Sequence, residues 1–407
     1  MKTDNTKRRL KVPFHVVKRL DMPKTKYWII KVIGFLTAFL FAGVLCTLFK
    51  PGTFGRFYEK MFLGCFDFED METFMLFLET AGLLLLVAFA LAPAFKMKFW
   101  NIGAEGQISV GCLATAAITY AFERNHFTNN GVIIPLCLIA AIGAGIVWAV
   151  IPAIFKAFFN TNETLFTLMM NYVATTLISI VISFWITSGT QVFPDLALGD
   201  LNKLLPMKYL FNIIVTVVVV VIMIIYLKKT KHGYELSVVG ASVNTARYVG
   251  INVKKVIVRT LVLSGAVSGL VGFLLVAGHH NTLSAGIAGG RGFTGVLVAW
   301  LGQFEPIQMT IYALLVAFFQ RGSTKAASSI GMSKTDFSAI VTGIFFLVVI
   351  ATEFFVNYRI LIDDDSKLKV AVEKVKGFFS SKFKKKKKEE AVEVIEAKPQ
   401  EEKKEDK

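Results

Sequence analysis

Gly290, Gly292 and Gly295 spell G-x-G-x-x-G. After a strand and before a helix, that spacing lets backbone approach a dinucleotide pyrophosphate. Here the flanks are apolar runs with no strand pattern, so nucleotide binding is not expected. No G-x-x-x-x-G-K-[ST] occurs, so the chain is not expected to be an ATPase. Neither H-E-x-x-H nor G-x-S-x-G is present, which leaves no nucleophile or metal constellation for a membrane enzyme. His279 and His280 are adjacent, so their side chains diverge, and they read as solvent-facing residues of an outer loop. Cys46, Cys65, Cys112 and Cys137 lack C-x-x-C spacing, and three of them lie in apolar runs, where free cysteine packs as a small hydrophobe. No disulfide, metal or cofactor is expected.

Polar side chains inside apolar segments say more. Asn101, Glu105 and Gln107 stand where two such segments meet, Asn171 lies within another, and Glu79 is isolated in the first of the two that meet. Ionisable and amide groups at membrane depth are costly and mark pathways. Local roles compete: Asn101 can cap the helix that follows it, with Glu105 near its positive end. Asn160 and Glu163 likewise have capping-box spacing. Ser264, Ser268 and Gly272, with Gly265 and Gly269 one step along, read as close helix packing, as do Gly143 and Ala140 with Ala144.

The elements that carry these residues follow from composition. The chain has 407 residues, 54% hydrophobic and 18% charged, with mean hydropathy +0.58. A soluble chain is roughly a quarter charged, so this is an all-α polytopic membrane protein. Spans of about 20 apolar residues are predicted at 28–49, 74–95, 102–122, 132–155, 165–188, 207–227, 256–277, 307–319 with some extension, and 337–358. A short tenth segment, 293–301, is ringed by glycines, as broken or re-entrant helices are. About ten membrane segments are therefore expected.

The net charge of +16 is concentrated at the ends. Residues 1–27 hold nine Lys/Arg and two acids; residues 359–407 hold fifteen against twelve. Three parts result: a basic cytoplasmic N-terminus 1–27, a membrane domain 28–358, and a charged, disordered cytoplasmic tail 359–407 whose Lys384 to Lys388 run can touch anionic lipid. No nucleic-acid face is expected. The loop 228–255 carries six Lys/Arg and one acid and is placed inside, as are both termini. An outer loop with Arg321, Lys325 and Lys334 is mildly off that rule. Within the inner loop, Gly240 and Gly250 bracket room for about two helical turns, with Ser242 as a cap. A short amphipathic helix held there suits docking to a soluble partner.

Four blocks in order resemble the permease subunits of bacterial ABC importers for nucleosides and simple sugars. They are Asn101-Ile102-Gly103-Ala104-Glu105-Gly106-Gln107; Asn162-Glu163 with Thr167-Leu168-Met169-Met170-Asn171-Tyr172; Gly233 to Ile251; and Gly292-Phe293-Thr294-Gly295 running to Leu301-Gly302. The resemblance covers roughly residues 74–350, and the first block looks most like the nucleoside branch. It implies two broadly repeated halves around a central pathway in the bacterial plasma membrane. Its expected partners are an ABC ATPase, a second permease, a substrate-binding lipoprotein and the membrane lipids. It implies a substrate pathway at Asn101, Glu105, Gln107, Asn171, Phe293 and Thr294, and ATPase coupling at Gly233, Glu235, Gly240, Arg247, Tyr248 and Gly250. The family usually has Asn-Pro where Ser242-Val243 stands, and commonly Asp at Thr294. A nucleoside is the expected substrate, with ribose or another simple sugar as the alternative. A gradient-driven secondary transporter is the rival from another class; it would rely on Glu79 and Glu105 and leave the inner loop unexplained.

Overall fold

A computed structural model describes residues 14–19, 22–67, 69–186, 192–193, 196 and 198–362. The first basic residues and the tail from Asp363, including Lys384 to Lys388, lie outside them. From the N-terminus the elements are β1 (Phe14–Lys18), α1 (Lys24–Phe49), α2 (Phe54–Leu63), α3 (Met71–Lys96), α4 (Ala104–Arg124) and α5 (Asn130–Phe159). Then come α6 (Glu163–Trp185), α7 (Leu210–Lys229), α8 (Lys231–Ala241), α9 (Val243–Tyr248) and α10 (Val253–Leu275). The chain closes with α11 (Arg291–Leu301), α12 (Pro306–Ile330), α13 (Lys334–Asn357) and β2 (Tyr358–Ile362). A π-turn, Val276–His280, extends α10.

All nine predicted long segments are helices. Helix is what such runs must form, since hydrocarbon offers no partner to an open backbone. Seven of them are long and apolar enough to cross a membrane. α4 and α12 have the length but a more polar composition, and α11 is the short apolar helix expected at 293–301. The α12 segment runs on to Ile330, so Arg321 and Lys325 belong to a helix and not to an outer loop.

The described residues fall into two units. The first takes the terminal segments up to Gly34 and from Ala351. Within it β1 pairs antiparallel with β2, from Phe14 opposite Ile362 to Lys18 opposite Tyr358, a ribbon that the all-helical expectation misses. Both strands are rich in β-branched or aromatic residues, which suit a pleated surface. Below the ribbon, Gly34 leaves room for the Thr352 side chain, and Lys31 pairs with Glu353 at 3.5 Å.

The second unit, Phe35–Ile350, is built around α3 and α10. α3 is buried along most of its length. Small residues let α10 approach its neighbours: a Cβ on Gly265 would strike the Gly145 carbonyl, one on Gly269 the Ala141 carbonyl, and one on Gly272 the backbone of α4. The α5 face in that contact is Ala141, Gly145 and Ala149. Gly143 looks into open space, which corrects its expected packing role: it sits half a turn round the helix from Gly145. Between α1 and α3, α2 seats Phe57 and Met61 against its surroundings, Met61 beside Gly322 of α12.

Candidate functional site

Four of the predicted pathway residues meet where α4 begins. Asn101 is fully buried; its Nδ2 donates to Ser264 Oγ at 3.0 Å and its Oδ1 accepts from Gly103 N–H at 3.0 Å. Asn171 on α6 clamps the same corner, accepting from Gly106 N–H at 2.8 Å and donating to the Ile102 carbonyl at 2.9 Å. Thr167, one turn earlier on α6, accepts from Ile102 N–H at 3.2 Å. Gln107 is buried and receives Ser264 O–H at 3.5 Å. Ser264 stands eleven residues into α10, about 16 Å along it at 1.5 Å per residue, so this corner lies about half-way through the bundle. Asn101 thus shapes the turn two residues ahead of α4, and the helix begins after Gly103.

Glu105 faces the other way, toward α11. Its Oε1 accepts from Gly290 N–H at 2.7 Å and its Oε2 from Gly292 N–H at 2.6 Å. The carboxylate therefore stands at the N-termini of two helices, its own and α11, where backbone N–H groups and both dipoles favour negative charge. Gly292 is required for this approach, since a Cβ there would collide with the Glu105 backbone. Gly290 and Gly289 hold φ of +73° and +60°, the left-handed region that glycine enters without cost. The three-glycine signature is thus a tight turn around a carboxylate. From it α11 runs to Leu301 with Phe293 exposed, Thr294 half-buried and Trp300 exposed.

A second buried polar group lies on α3. Glu79 is 1% exposed; its Oε1 accepts from Asn212 Nδ2 of α7 at 3.0 Å and its Oε2 from His279 Nδ1 at 2.9 Å. Glu79 is therefore not isolated, and His279 is not a solvent-facing loop residue but part of the π-turn. The signal was present in the sequence: a histidine at the end of a span and a carboxylate within another are both costly unless paired. Arg291 was not singled out and Arg321 was read only as an outer-loop charge, yet both lie in electrostatic reach of Glu79.

The inner loop forms an arm. α9 lies between Gly240 and Gly250 as expected, capped by Ser242 Oγ, which accepts from Thr245 N–H at 3.2 Å; α8, capped by Thr230, precedes it. Gly233 and Gly240 are close-approach sites, a Cβ meeting the Leu227 and Lys96 carbonyls respectively. Glu235 is held by Arg259 of α10 at 2.8 Å, and that guanidinium keeps its carboxyl below the usual carboxylate range. Arg247, Tyr248 (91% exposed), Val249 and Gly250 form the free tip, Gly250 at φ +81°. Behind the elbow lies a cavity of about 310 Å³ lined by Lys98, Lys156, Glu163 and Ser242 among others. The cap of α6 is Asn162, bonded to Leu165 N–H; Asn160 instead closes α5 in the left-handed region at φ 52°, so the expected capping box is not formed.

A glucose ABC transporter permease of Haloferax volcanii, TsgB13, is 29% identical over 70% of this chain and 77% of its own length. A guanosine ABC transporter permease of Bacillus subtilis, NupP, is 31% identical over 59% of this chain and 70% of its own. A nucleoside ABC transporter permease of Lactococcus lactis, NupB, is 27% identical over 74% and 85%. No solved structure matches. The family model described as the permease component of branched-chain amino acid transport systems matches residues 74–350, which hold the α4 corner, the glycine turn and the arm, and the chain belongs to that permease family.

Proposed function

We propose that this permease carries nucleosides into the cell, on energy from ATP hydrolysed in a separate subunit. The observation that carries the reading is the arm. A helix pair fixed at its base by Glu235 and Arg259, and ending in exposed Arg247, Tyr248 and Val249, has the form of a lever for a soluble partner. Gly233, Glu235 and Gly240 seat the arm; Arg247, Tyr248 and Gly250 meet the ATPase. The relatives named for guanosine and nucleosides support the substrate class, and the glucose permease supports a sugar as the second reading. A second permease chain and a ligand-delivering lipoprotein complete the assembly.

Ten membrane segments suit the fold better than nine. β1 and β2 are hydrogen-bonded, so the start of α1 and the end of α13 share one face, and the number of crossings between them is even. The nine long helices reach that parity only if 281–301, an irregular stretch plus α11, makes a tenth passage. The basic loop 228–255 then falls on the same side as both termini, the cytoplasmic one. The three-part division at 28 and 358 follows: basic N-terminus, membrane domain, charged tail. Two repeated halves fit the same pattern, since α3 and α10 are each followed by a re-entrant connection to a helix that begins inside the bundle. The N-termini of α4 and α11 meet at Glu105. We assign the pathway to this meeting point: Phe293 and Thr294 present its open side, and Asn101, Glu105, Gln107 and Asn171 fix its walls.

Membrane vesicles that hold the permease, its ATPase and its binding lipoprotein should accumulate labelled guanosine only with ATP. Arg247→Glu should abolish uptake while insertion in the membrane is unchanged. Uptake driven by an ion gradient without ATP, or normal uptake by the variant, overturns the reading; accumulation of glucose in preference to guanosine selects the second one.

A further inference from the structure

The cavity of about 310 Å³ behind the elbow of the arm belongs neither to the pathway nor to the exposed tip. Its walls come from the turn 97–99 after α3, the end of α5, the starts of α6 and α10, and residues 239–243 of the arm. Three of its residues carry charge. Lys156 and Glu163 pair at 2.8 Å, so that carboxylate is satisfied from within the protein. Lys98 is exposed, and its ammonium has no acidic or hydrogen-bond partner among the described residues. Ser242 adds a hydroxyl whose oxygen caps α9 and whose O–H has no acceptor among the described residues. Lys98 and Asn160 both hold left-handed φ, 60° and 52°. A side chain with a Cβ adopts that conformation at a cost, which persists where the surroundings fix it, commonly at ligand clamps.

The cavity stands at headgroup depth. Lys96 closes α3, Lys156 lies in the last turn of α5 and Lys254 is the second residue of α10, so lysines gather where three spans leave the hydrocarbon. Lys254 sits 4.7 Å from the centre of the Phe158 ring, which joins α10 to the end of α5 beside the cavity. Trp100, two residues beyond Lys98, is exposed, as tryptophan is at a membrane boundary. Across the short loop 160–163, an apolar groove of about 430 Å³ opens at Thr161 and Asn162. It continues over Leu165, Met169 and Val173, all exposed and spaced four residues apart, a stripe about 12 Å long on one face of α6. One loop thus separates a cationic, donor-rich cavity from an apolar track that runs into the bilayer.

We propose that this cavity binds the phosphate of an anionic phospholipid of the inner leaflet, with an acyl chain laid along Leu165, Met169 and Val173. A phosphodiester supplies what the cavity lacks: an anion for Lys98 and acceptor oxygens for Lys156 and Ser242. The apolar stripe is of use to a lipid and not to a free phosphate. Basic pockets between the cytoplasmic ends of membrane helices recognise anionic headgroups in this way. The choice of leaflet rests on the sidedness proposed above; the binding itself does not. Because residues 239–243 form one wall, a bound headgroup props the elbow against the bundle. The arm has little room there, since a Cβ on Gly240 would strike the Lys96 carbonyl. Anionic lipid therefore steadies the arm at its base.

Native mass spectrometry of the full chain, taken from micelles holding equal phosphatidylglycerol and phosphatidylcholine, tests the site. The wild type should retain phosphatidylglycerol, and Lys98→Gln should retain about fivefold less, the contribution of one lysine beside an anionic surface. Lys98 is exposed, so its loss strands no buried group, and Lys98→Arg should restore retention. The charged tail is the same in every form. Lys208→Gln, which removes the partner of Glu72 at the opposite end of α3, should change nothing. Inorganic phosphate and glycerol 3-phosphate should not displace the lipid. Amide exchange over residues 231–248 should be slower with phosphatidylglycerol than with phosphatidylcholine alone, and Lys98→Gln should abolish that difference. Equal retention by the wild type and Lys98→Gln overturns the proposal. Displacement by inorganic phosphate overturns it too, making the cavity a soluble-anion site. Exchange that slows with the ATPase but is indifferent to lipid gives the cavity to the protein partner instead.

Discussion

Asn171 does its work through two bonds to backbone, to the N–H of Gly106 and the carbonyl of Ile102. Neither group can find water at that depth. Asn171→Leu should therefore destabilise the permease by about 1–3 kcal/mol for each backbone group stranded, read as a lower unfolding temperature in detergent. Asn171→Asp should recover part of the loss, since it restores the acceptor for Gly106. A variant as stable as the wild type would show that the corner is held elsewhere. The residue types were legible in advance: amides and a carboxylate in apolar runs had to be paired or functional. Their partners were not, because Asn101 meets Ser264 across 163 positions of sequence, and only the packed helices bring the two together. Glu105 illustrates the same limit. Its place in the first turn of α4 was readable, but the acceptor role toward α11 depends on a glycine turn 185 residues away.

Long helices were readable because hydrocarbon admits little else, and their ends mostly fall within a few residues of the hydropathy limits. Short amphipathic pieces were not. α2 alternates buried Phe57 and Met61 with charged Arg56, Glu59 and Lys60, a pattern that hydropathy averages to nothing. The arm was half-read. The helix between Gly240 and Gly250 with its Ser242 cap was recognised and is α9, but α8 ahead of it was not, and Gly233 and Gly240 are close-contact points of α8. Its hold on the bundle passes through the Glu235–Arg259 pair, one partner in the loop and the other in a span. Arg259→Gln should free α8, seen as faster amide exchange over residues 231–241 and weaker ATP-driven uptake with insertion intact. Because the pair keeps the Glu235 carboxyl below its ordinary value of about 4.3, the tether is formed throughout the neutral range. It should be lost only as pH falls below that value, through the lowered one. Equal exchange in variant and wild type would remove the pair from the coupling route.

For the molecule as a whole, the ribbon of β1 and β2 is the constraint that the sequence hid most completely. Strand runs of five residues flanking a membrane domain carry no hydropathy signal, and their pairing joins the two ends of the domain. A fluorescent protein that matures only in the cytoplasm should light up when fused to either end of the chain. Fluorescence from one end alone would break the parity argument and the tenth passage with it. The same ribbon sets an order on synthesis. β1 ends at Lys18, and its partner strand begins only at Tyr358. At about 5–20 residues per second, the intervening chain takes roughly 20–70 s to make. Through that interval the first strand has exposed backbone donors and acceptors beside the membrane, and every helix between must be inserted before they are satisfied. The ribbon can therefore serve as the last stitch of assembly, and a chain truncated before residue 358 would be left with an open edge that marks it as unfinished.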